Sequence, residues 1–463
     1  MISPQEMIER ITGAAQYADC IVIVQEKSQA NLRWASSTLT TNGVIAEQDV
    51  TVIAFVEVDG GMAAGSISRT SVNSDECAEL AALAGKAALA AGKAEDASPL
   101  LTNTSHGDWT APHPSTGPAI FKNFVGDLGD MFQRSKSDAI ELFGYAEHTS
   151  KTTWVGSKGG LRLRYDQPDG RIEMNGKSHN RTRSTWEGVA SRNFDSISIA
   201  AIDRKIRTRL DWQARRNDIP AGKYQTVLPS GSVADLMTYM IWLSGGKDAF
   251  DGTSVFSAPS GSASKVRIGE KFSNLPVNIF ADSSCKGLEC APFSVATSSS
   301  SMSSVFDNGL RLDKSELMKS GTLENLITSR ATSRETGLAH APWGDNVIID
   351  VTGGSGNEDD LIRQVKNGLL VTTLWYIRLV DPASLLLTGL TRDGVYEIRD
   401  GEVVGAVNNF RWNDSPVEIL SRIAAAGGTE ITQPREWADD VARIAAPPMI
   451  VNDFNMSTVS QAN

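Results

Sequence analysis

Cysteine is scarce in this chain. The four present in 463 residues, Cys20, Cys77, Cys285 and Cys290, are too few and too scattered for a disulfide framework. Histidine is nearly as rare, and of the five, His106, His113, His148, His179 and His340, no two have the spacing of a metal-binding helix. Cys285 and Cys290 are separated by four residues, yet no second cysteine pair follows and the next histidine is His340, so a zinc site there is incomplete. Long apolar runs are absent too. Leu369 to Val380 is broken by Arg378 and the Ala-rich stretch Ala78 to Ala91 contains Lys86, so neither reads as a membrane span. The opening Met-Ile-Ser-Pro-Gln-Glu has no basic region ahead of an apolar stretch, which argues against a secretory signal and predicts a cytoplasmic location. Positive charge is in deficit, 44 Lys and Arg against 55 Asp and Glu for a net charge of −11, which disfavours nucleic acid as the ligand. One stretch runs the other way: Lys158 to Arg216 holds fourteen Lys and Arg against seven Asp and Glu.

What remains is the composition of a soluble folded protein, 41% hydrophobic and 21% charged. Its length allows about two or three domains. Ser3, Pro4 and Glu6 form a helix start, Cys20 to Val24 reads as a buried strand, and Val50 to Val58 with Met62 to Ile67 reads as a hairpin turning at Asp59-Gly60-Gly61. Ser74, Asp75 and Glu76 open an Ala-rich helix whose Leu80, Leu83, Ala87 and Ala90 keep helical spacing. Residues 98–116, rich in Ser, Thr, Pro, Gly and Asn, read as a linker. Beyond it come a helix around Val125 to Ser135, a hairpin turning at Gln167-Pro168-Asp169-Gly170, and a strand at Ile197 to Ile199. An amphipathic helix follows, with Ile202, Ile206, Leu210 and Ala214 opposite Arg204, Lys205, Arg207 and Arg209. Gln225 to Leu228 reads as a strand, Val233 to Leu243 as a helix, Ser294 to Ser304 as a Ser-dense loop, and Val395 to Val404 as a hairpin around Asp400-Gly401. The expected fold class is α+β. It comprises an N-terminal α/β domain of hairpins and helices (1–97), the linker (98–116), a middle α+β domain (117–218), a strand-rich mixed C-terminal domain (219–455) and a fraying polar tail (456–463).

Catalytic signatures are missing. Gly176-Lys177-Ser178 ends like a phosphate loop, but Arg171 stands where the early glycine belongs. Gly353-Gly354-Ser355-Gly356 fails as a nucleophile elbow at Asn357 and reads as a turn before a helix capped by that residue. The basic helix with Trp186 and Trp212 nearby has the ingredients of a single-strand binder, but a solvated face or an interface with an acidic partner explains it without opposing the net charge.

A longer order of features is informative. Gly222-Lys223-Tyr224-Gln225-Thr226-Val227-Leu228-Pro229 precedes a helix, and Gly252-Thr253-Ser254-Val255-Phe256-Ser257 follows it. Phe306-Asp307-Asn308-Gly309, Gly368-Leu369-Leu370-Val371 and the closing Ala445-Ala446-Pro447-Pro448-Met449-Ile450-Val451 come after. Together with the Val52 to Ile67 hairpin and the Ala-rich helix, this order resembles the TldD/TldE family, also called the PmbA or modulator-of-gyrase family, over nearly the whole chain. The resemblance implies a two-subunit peptidase whose TldD-type chain carries a zinc-binding His-Glu-x-x-x-His helix and whose TldE-type chain does not. That helix would fall within Leu236 to Leu243, where Thr238, Tyr239, Met240 and Trp242 supply no His, Glu or Cys, so the chain resembles the TldE type.

The implied function is that of a non-catalytic subunit in a zinc metallopeptidase complex. Zinc is then expected in the TldD-type partner of a heterodimer or larger assembly, with no cofactor in this chain. Unfolded or precursor peptides would be the substrates, added as a strand to a sheet. Asp251, Gly252, Thr253 and Ser254 are candidates for the peptide channel, against a plain turn, and the helix with Met237, Met240 and Trp242 for core packing or an apolar channel wall. Two other readings stand beside this one: a stand-alone regulatory or binding protein, and a hydrolase whose site only folding assembles.

Overall fold

The computed structural model describes residues 2–461. The first helix, α1 (Pro4–Ala14), begins as its sequence dictates: the Ser3 Oγ accepts the Glu6 N–H at 3.1 Å, and Pro4 occupies a first-turn position that needs no N–H partner. Next come β1 (Asp19–Ala35), β2 (Thr38–Val58), β3 (Gly61–Thr70) and α2 (Cys77–Ala91), with the β2–β3 turn at Asp59-Gly60, both at positive φ. The chain continues through β4 (Ser105–His106), α3 (Val125–Ser137), β5 (Glu141–Ser157), β6 (Arg162–Ser178), β7 (Arg183–Ser191) and α4 (Ile199–Trp212).

These strands make one seven-stranded sheet in the order β3-β2-β1-β5-β6, with β4 and β7 both paired to β6. β1 lies antiparallel to β5 from Ile21 opposite Ser157 to Trp34 opposite Gly144. Residues 98–116 therefore do not divide the sheet: strands expected in separate domains, 1–97 and 117–218, are hydrogen-bonded neighbours. The segment instead lies on the sheet, its β4 paired to β6 and His113 bonded to residues of β1 and β5. Thr152 donates to Asp166 at 2.6 Å, so its Oγ1 accepts from His113 Nδ1–H at 2.8 Å, while His113 Nε2 accepts from Ser28 at 3.1 Å.

Three local expectations are corrected. β6 runs unbroken through Gln167-Pro168-Asp169-Gly170, with Pro168 opposite Ser150 of β5. Proline is tolerated there because β4 pairs only up to Leu163 and β7 only from Gly170, leaving that side of β6 open, and the Pro168 carbonyl accepts from Arg443 instead. Ile197 to Ile199 is not a strand; Ser198 caps α4, its Oγ accepting the Ala201 N–H at 3.2 Å. Of the segment expected to fray, 456–463, residues 456–459 belong to the strand Met449–Val459, in which Met456 is fully buried opposite Trp412; residues 462 and 463 lie outside the described residues.

The C-terminal half begins with β8 (Gly222–Leu228), α5 (Ser230–Trp242) and the short α6 (Gly246–Phe250), and builds a six-stranded and a nine-stranded sheet. In the larger one, Met449–Val459 lies between β8 and Phe410–Asp414, antiparallel to both. One core joins both sheets to α5, through Val233, Leu236, Met237, Met240 and Ile241 on the helix.

Period-two alternation sorts the faces of the seven-stranded sheet. Cys20, Val22 and Val24 turn toward α1 and α2, where Cys77 is also buried, and Leu32 and Trp34 toward α3 and α4. The intervening Ile21 and Ile23, with Phe55, Val155 and Leu163, face the C-terminal half and pack on Phe293, Val305 and Phe306. Phe55 meets Phe306 edge-on at 5.0 Å between ring centroids.

Candidate functional site

The helix on which family resemblance would place metal ligands is α5. Pro229 at its N-cap and the run Val233 to Ile241 make it an almost wholly buried helix. Asp235 is spent structurally: its carboxylate accepts the Glu436 N–H at 2.9 Å, its carbonyl accepts from Trp437 Nε1 at 2.9 Å, and burial pushes its carboxyl well above the usual range. Met240 is core. Tyr239 and Trp242, both half-buried, close a ring cluster with Trp437, at centroid distances of 5.4 and 5.1 Å from it.

The remaining face of α5, with Thr238, Ile241 and Trp242, borders a cavity of about 640 Å³ between the two halves of the chain. Its opposite wall is the sheet face that continues Ile21 and Ile23: Gln25 from β1, Lys151 and Thr153 from β5, and Tyr165, Gln167 and Asp169 from β6. Gln25 donates to Thr153 at 3.2 Å across the two strands. Asp169 pairs with Arg443 at 2.8 Å; burial raises its carboxyl, and the guanidinium opposes that rise. Cys290 also lines the cavity, but burial pushes its thiol up to about 12, which removes the thiolate a nucleophile requires.

The Ser-dense loop forms part of the wall through Ser300 and Ser303. It is fastened from two directions. Ser299 and Ser304 both donate to Asp96 at 2.6 Å, and Asn308, fully buried, accepts the Ala296 N–H and donates to the Ala296 and Val305 carbonyls. The neighbouring Asp307 pairs with Arg330 at 2.6 Å, and Gly309 takes a φ of +85°. Phe306-Asp307-Asn308-Gly309 is thus a clamp for this loop.

Asp251, Gly252, Thr253 and Ser254 lie elsewhere. They form the turn that ends α6: Asp251 pairs with Lys247 at 2.6 Å, Gly252 takes a φ of +84°, Thr253 donates to the Asp248 carbonyl, and Ser254 accepts from the Phe256 N–H. None of the four is among the residues lining the cavity. Thr238 and Trp242, by contrast, do line it. Three of the four basic residues on α4 are spent on ion pairs: Arg209 is buried between Glu187 and Glu358 at 2.7 and 3.2 Å, Lys205 pairs with Glu187, and Arg207 with Asp203 and Asp138, while Arg204 is exposed. Composition missed the cavity wall because its residues come from strands far apart in sequence. The available signal was the change from Ile21 and Ile23 to Gln25 and Lys27 at alternate positions of one strand.

The model of the PmbA/TldA metallopeptidase C-terminal domain matches residues 221–458, more than half of the chain. The chain belongs to the PmbA/TldD family. Solved structures of similar fold include TldE from Thermococcus kodakarensis, at 14% identity and a TM-score of 0.76, over 97% of this chain and 99% of that one. A protein described as a modulator of a DNA gyrase from Thermotoga maritima has 15% identity and a TM-score of 0.74, over 98% of this chain and 100% of its own. A second protein so described, from Bacteroides thetaiotaomicron, follows at 14% and 0.74, over 99% of this chain and 100% of its own. Likeness at this identity shows the PmbA/TldD fold. Among curated proteins, none matches the sequence.

The zinc that the resemblance implies for a TldD-type chain does not suit the residues of α5. Thr238 and Tyr239 offer hydroxyls rather than imidazole or thiolate, and Asp235 is already bound to the Glu436 backbone. Among the described residues, no group of three or more His, Cys, Asp and Glu could hold a metal ion, and no helix is long and apolar enough to cross a membrane.

Proposed function

We propose that this chain is the non-catalytic, TldE-type subunit of a TldD/TldE-type metallopeptidase complex that processes unfolded or precursor peptides, the zinc being carried by a TldD-type partner. The observation that carries the reading is α5. In a chain of the PmbA/TldD family it presents Thr238, Tyr239 and Trp242 where a peptidase of this kind needs metal ligands and a general base, yet it borders a cavity large enough for a short stretch of peptide. Its fold-level likeness to TldE supports the same assignment. In this role the subunit holds substrate and closes the chamber; bond cleavage belongs to the partner.

The test is co-expression with a TldD-type protein from the same source, followed by zinc analysis and an assay for cleavage of an unfolded peptide, on each chain and on the pair. A zinc-bearing pair that cuts, beside an isolated chain that does neither, is the expected result. Stoichiometric zinc or peptide cleavage by this chain alone overturns the proposal, and failure to pair transfers support to a stand-alone regulatory role.

A further inference from the structure

We propose that residues 297–304 are a gate on the cavity between the seven-stranded sheet and α5, latched shut on the Asp96 carboxylate; that the cavity takes a ligand rests on the subunit reading above. The stretch sits at the mouth. Thr297, Ser300, Met302 and Ser303 line the cavity, and Thr297 and Ser300 are at the same time exposed, so they stand between the cavity and solvent. The loop springs from the C-terminal half, yet it is tied to the N-terminal half. Among the described residues, its hydrogen bonds to that half are two, from the Ser299 and Ser304 hydroxyls. Both end on one oxygen, Asp96 Oδ2, at 2.6 Å, the short distance of a hydroxyl bound to a charged acceptor. Asp96 forms no ion pair among the described residues, so the two serines are what its side chain holds.

A gate needs a base that stays and a piece that moves whole. The base is buried Asn308, whose Nδ2 donates to the Ala296 carbonyl at 2.8 Å and the Val305 carbonyl at 3.0 Å, closing the two ends of the loop into an Ω-type turn. The tip is folded on itself. Ser300 N–H donates to the Ser303 carbonyl at 2.8 Å, and the Ser300 hydroxyl accepts the Met302 and Ser303 N–H groups at 3.2 Å. Serine density thus satisfies the backbone of the tip from within, and swinging the loop out strands none of these groups. Two contacts keep it shut. Met302 packs against the core of the C-terminal half, with the tip so close to Gly245 at the start of α6 that a Cβ there would lie 3.2 Å from Ser301 Oγ and 3.3 Å from Met302 Cγ. The other contact is the Asp96 latch, whose Ser299 bond is exposed, so water takes its place on both partners when the loop leaves.

Cys290 reports on the gate. It lines the cavity, and its thiol, pushed up to about 12 by burial, reacts slowly until water and reagent reach it. The full chain is treated with N-ethylmaleimide at mildly alkaline pH, and modification of each cysteine is followed by peptide mass spectrometry. In the parent, Cys290 is expected to react more slowly than Cys285, which is half-exposed and off the cavity. Asp96→Ala removes the latch and is expected to speed Cys290 by about tenfold; Asp96→Asn, which keeps an uncharged acceptor, should do so by less. Cys20 and Cys77, buried with α1 and α2, are the internal control and should keep the parent rate in both variants. No acceleration at Cys290 in Asp96→Ala, a rise shared by Cys20 and Cys77, or a parent in which Cys290 reacts as fast as Cys285 overturns the proposal. Pairing with the zinc subunit is scored separately. A chain that pairs while its Cys290 ignores Asp96 loses this inference and keeps the subunit reading, and a gated chain that never pairs does the reverse.

Discussion

Along β1 a single sheet face does two different jobs. At Ile21 and Ile23 it is apolar and glued to Phe293, Val305 and Phe306 of the C-terminal half; from Gln25 onward it turns polar and looks across a cavity at α5. The backbone hardly changes, since β1 stays paired to both β2 and β5 through this point. The difference lies in the side chains at alternate positions. Apolar residues draw the two halves together by excluding water, whereas Gln25, Lys151 and Thr153 keep enough polarity to hold the gap open. The site is therefore made by where the interface stops, and the adhesive part and the open part should respond differently to perturbation.

The largest effect is expected in the adhesive part. Phe306→Ala removes a fully buried ring that meets Phe55 edge-on, and should lower unfolding free energy by about 4 kcal/mol in a denaturant titration. A stability change below about 1 kcal/mol there would mean that the two halves are not held by this cluster. Arg443→Met leaves Asp169 without its partner; because that carboxylate keeps some contact with solvent, a loss of about 2 kcal/mol is expected at neutral pH. Carboxylate protonation in acid should narrow the gap between parent and variant. Acid also acts behind the sheet. His148, whose Nε2–H donates to the Arg192 carbonyl and whose Nδ1 accepts from Thr116, is held below the ordinary value of 6.5 by burial, and His113 is lowered for the same reason. The unfolded chain then binds more protons than the folded one just below that value, so stability should fall as pH drops through about 6.5. A His148→Gln variant should flatten that slope. Lys151→Ala, on the open part, should change stability by less than about 0.5 kcal/mol, because no pair is broken.

Local chemistry made much of the fold readable. The Ser3-Pro4 start of α1, the Asp59-Gly60 turn between β2 and β3, the hairpin at Asp400-Gly401 and the Asn357 cap, which closes a reciprocal pair with Asp360, each depend on residues a few positions apart. Gln167-Pro168-Asp169-Gly170 misled because its residues suit a turn, while the fact that decides its shape, an open side of β6, is set by where β4 and β7 pair. Residues 98–116 misled in the same manner: their composition is that of a linker, but His113 and Thr116 are anchored on Ser28, a partner 85 and 88 positions away. Of the site, only α5 could be located from sequence, by its place between two landmarks. Gln25, Lys151, Asp169 and Arg443 carry no mutual spacing, and pairing of distant strands alone brings them to one wall.

The strand Met449–Val459 has a consequence for how the molecule is made. It is the piece that joins β8 to Phe410–Asp414, so the nine-stranded sheet stays split until a segment translated more than two hundred residues after β8 slots between two waiting edges. During synthesis, β8 and the strand at Phe410–Asp414 each present unsatisfied backbone to whatever chain is nearby, which is the condition under which nascent proteins pair with the wrong neighbour. Slow closure of long-range contacts adds to the time spent exposed. Closing that gap sooner is therefore expected to raise the yield of folded chain, a change that need not alter the stability of the finished fold.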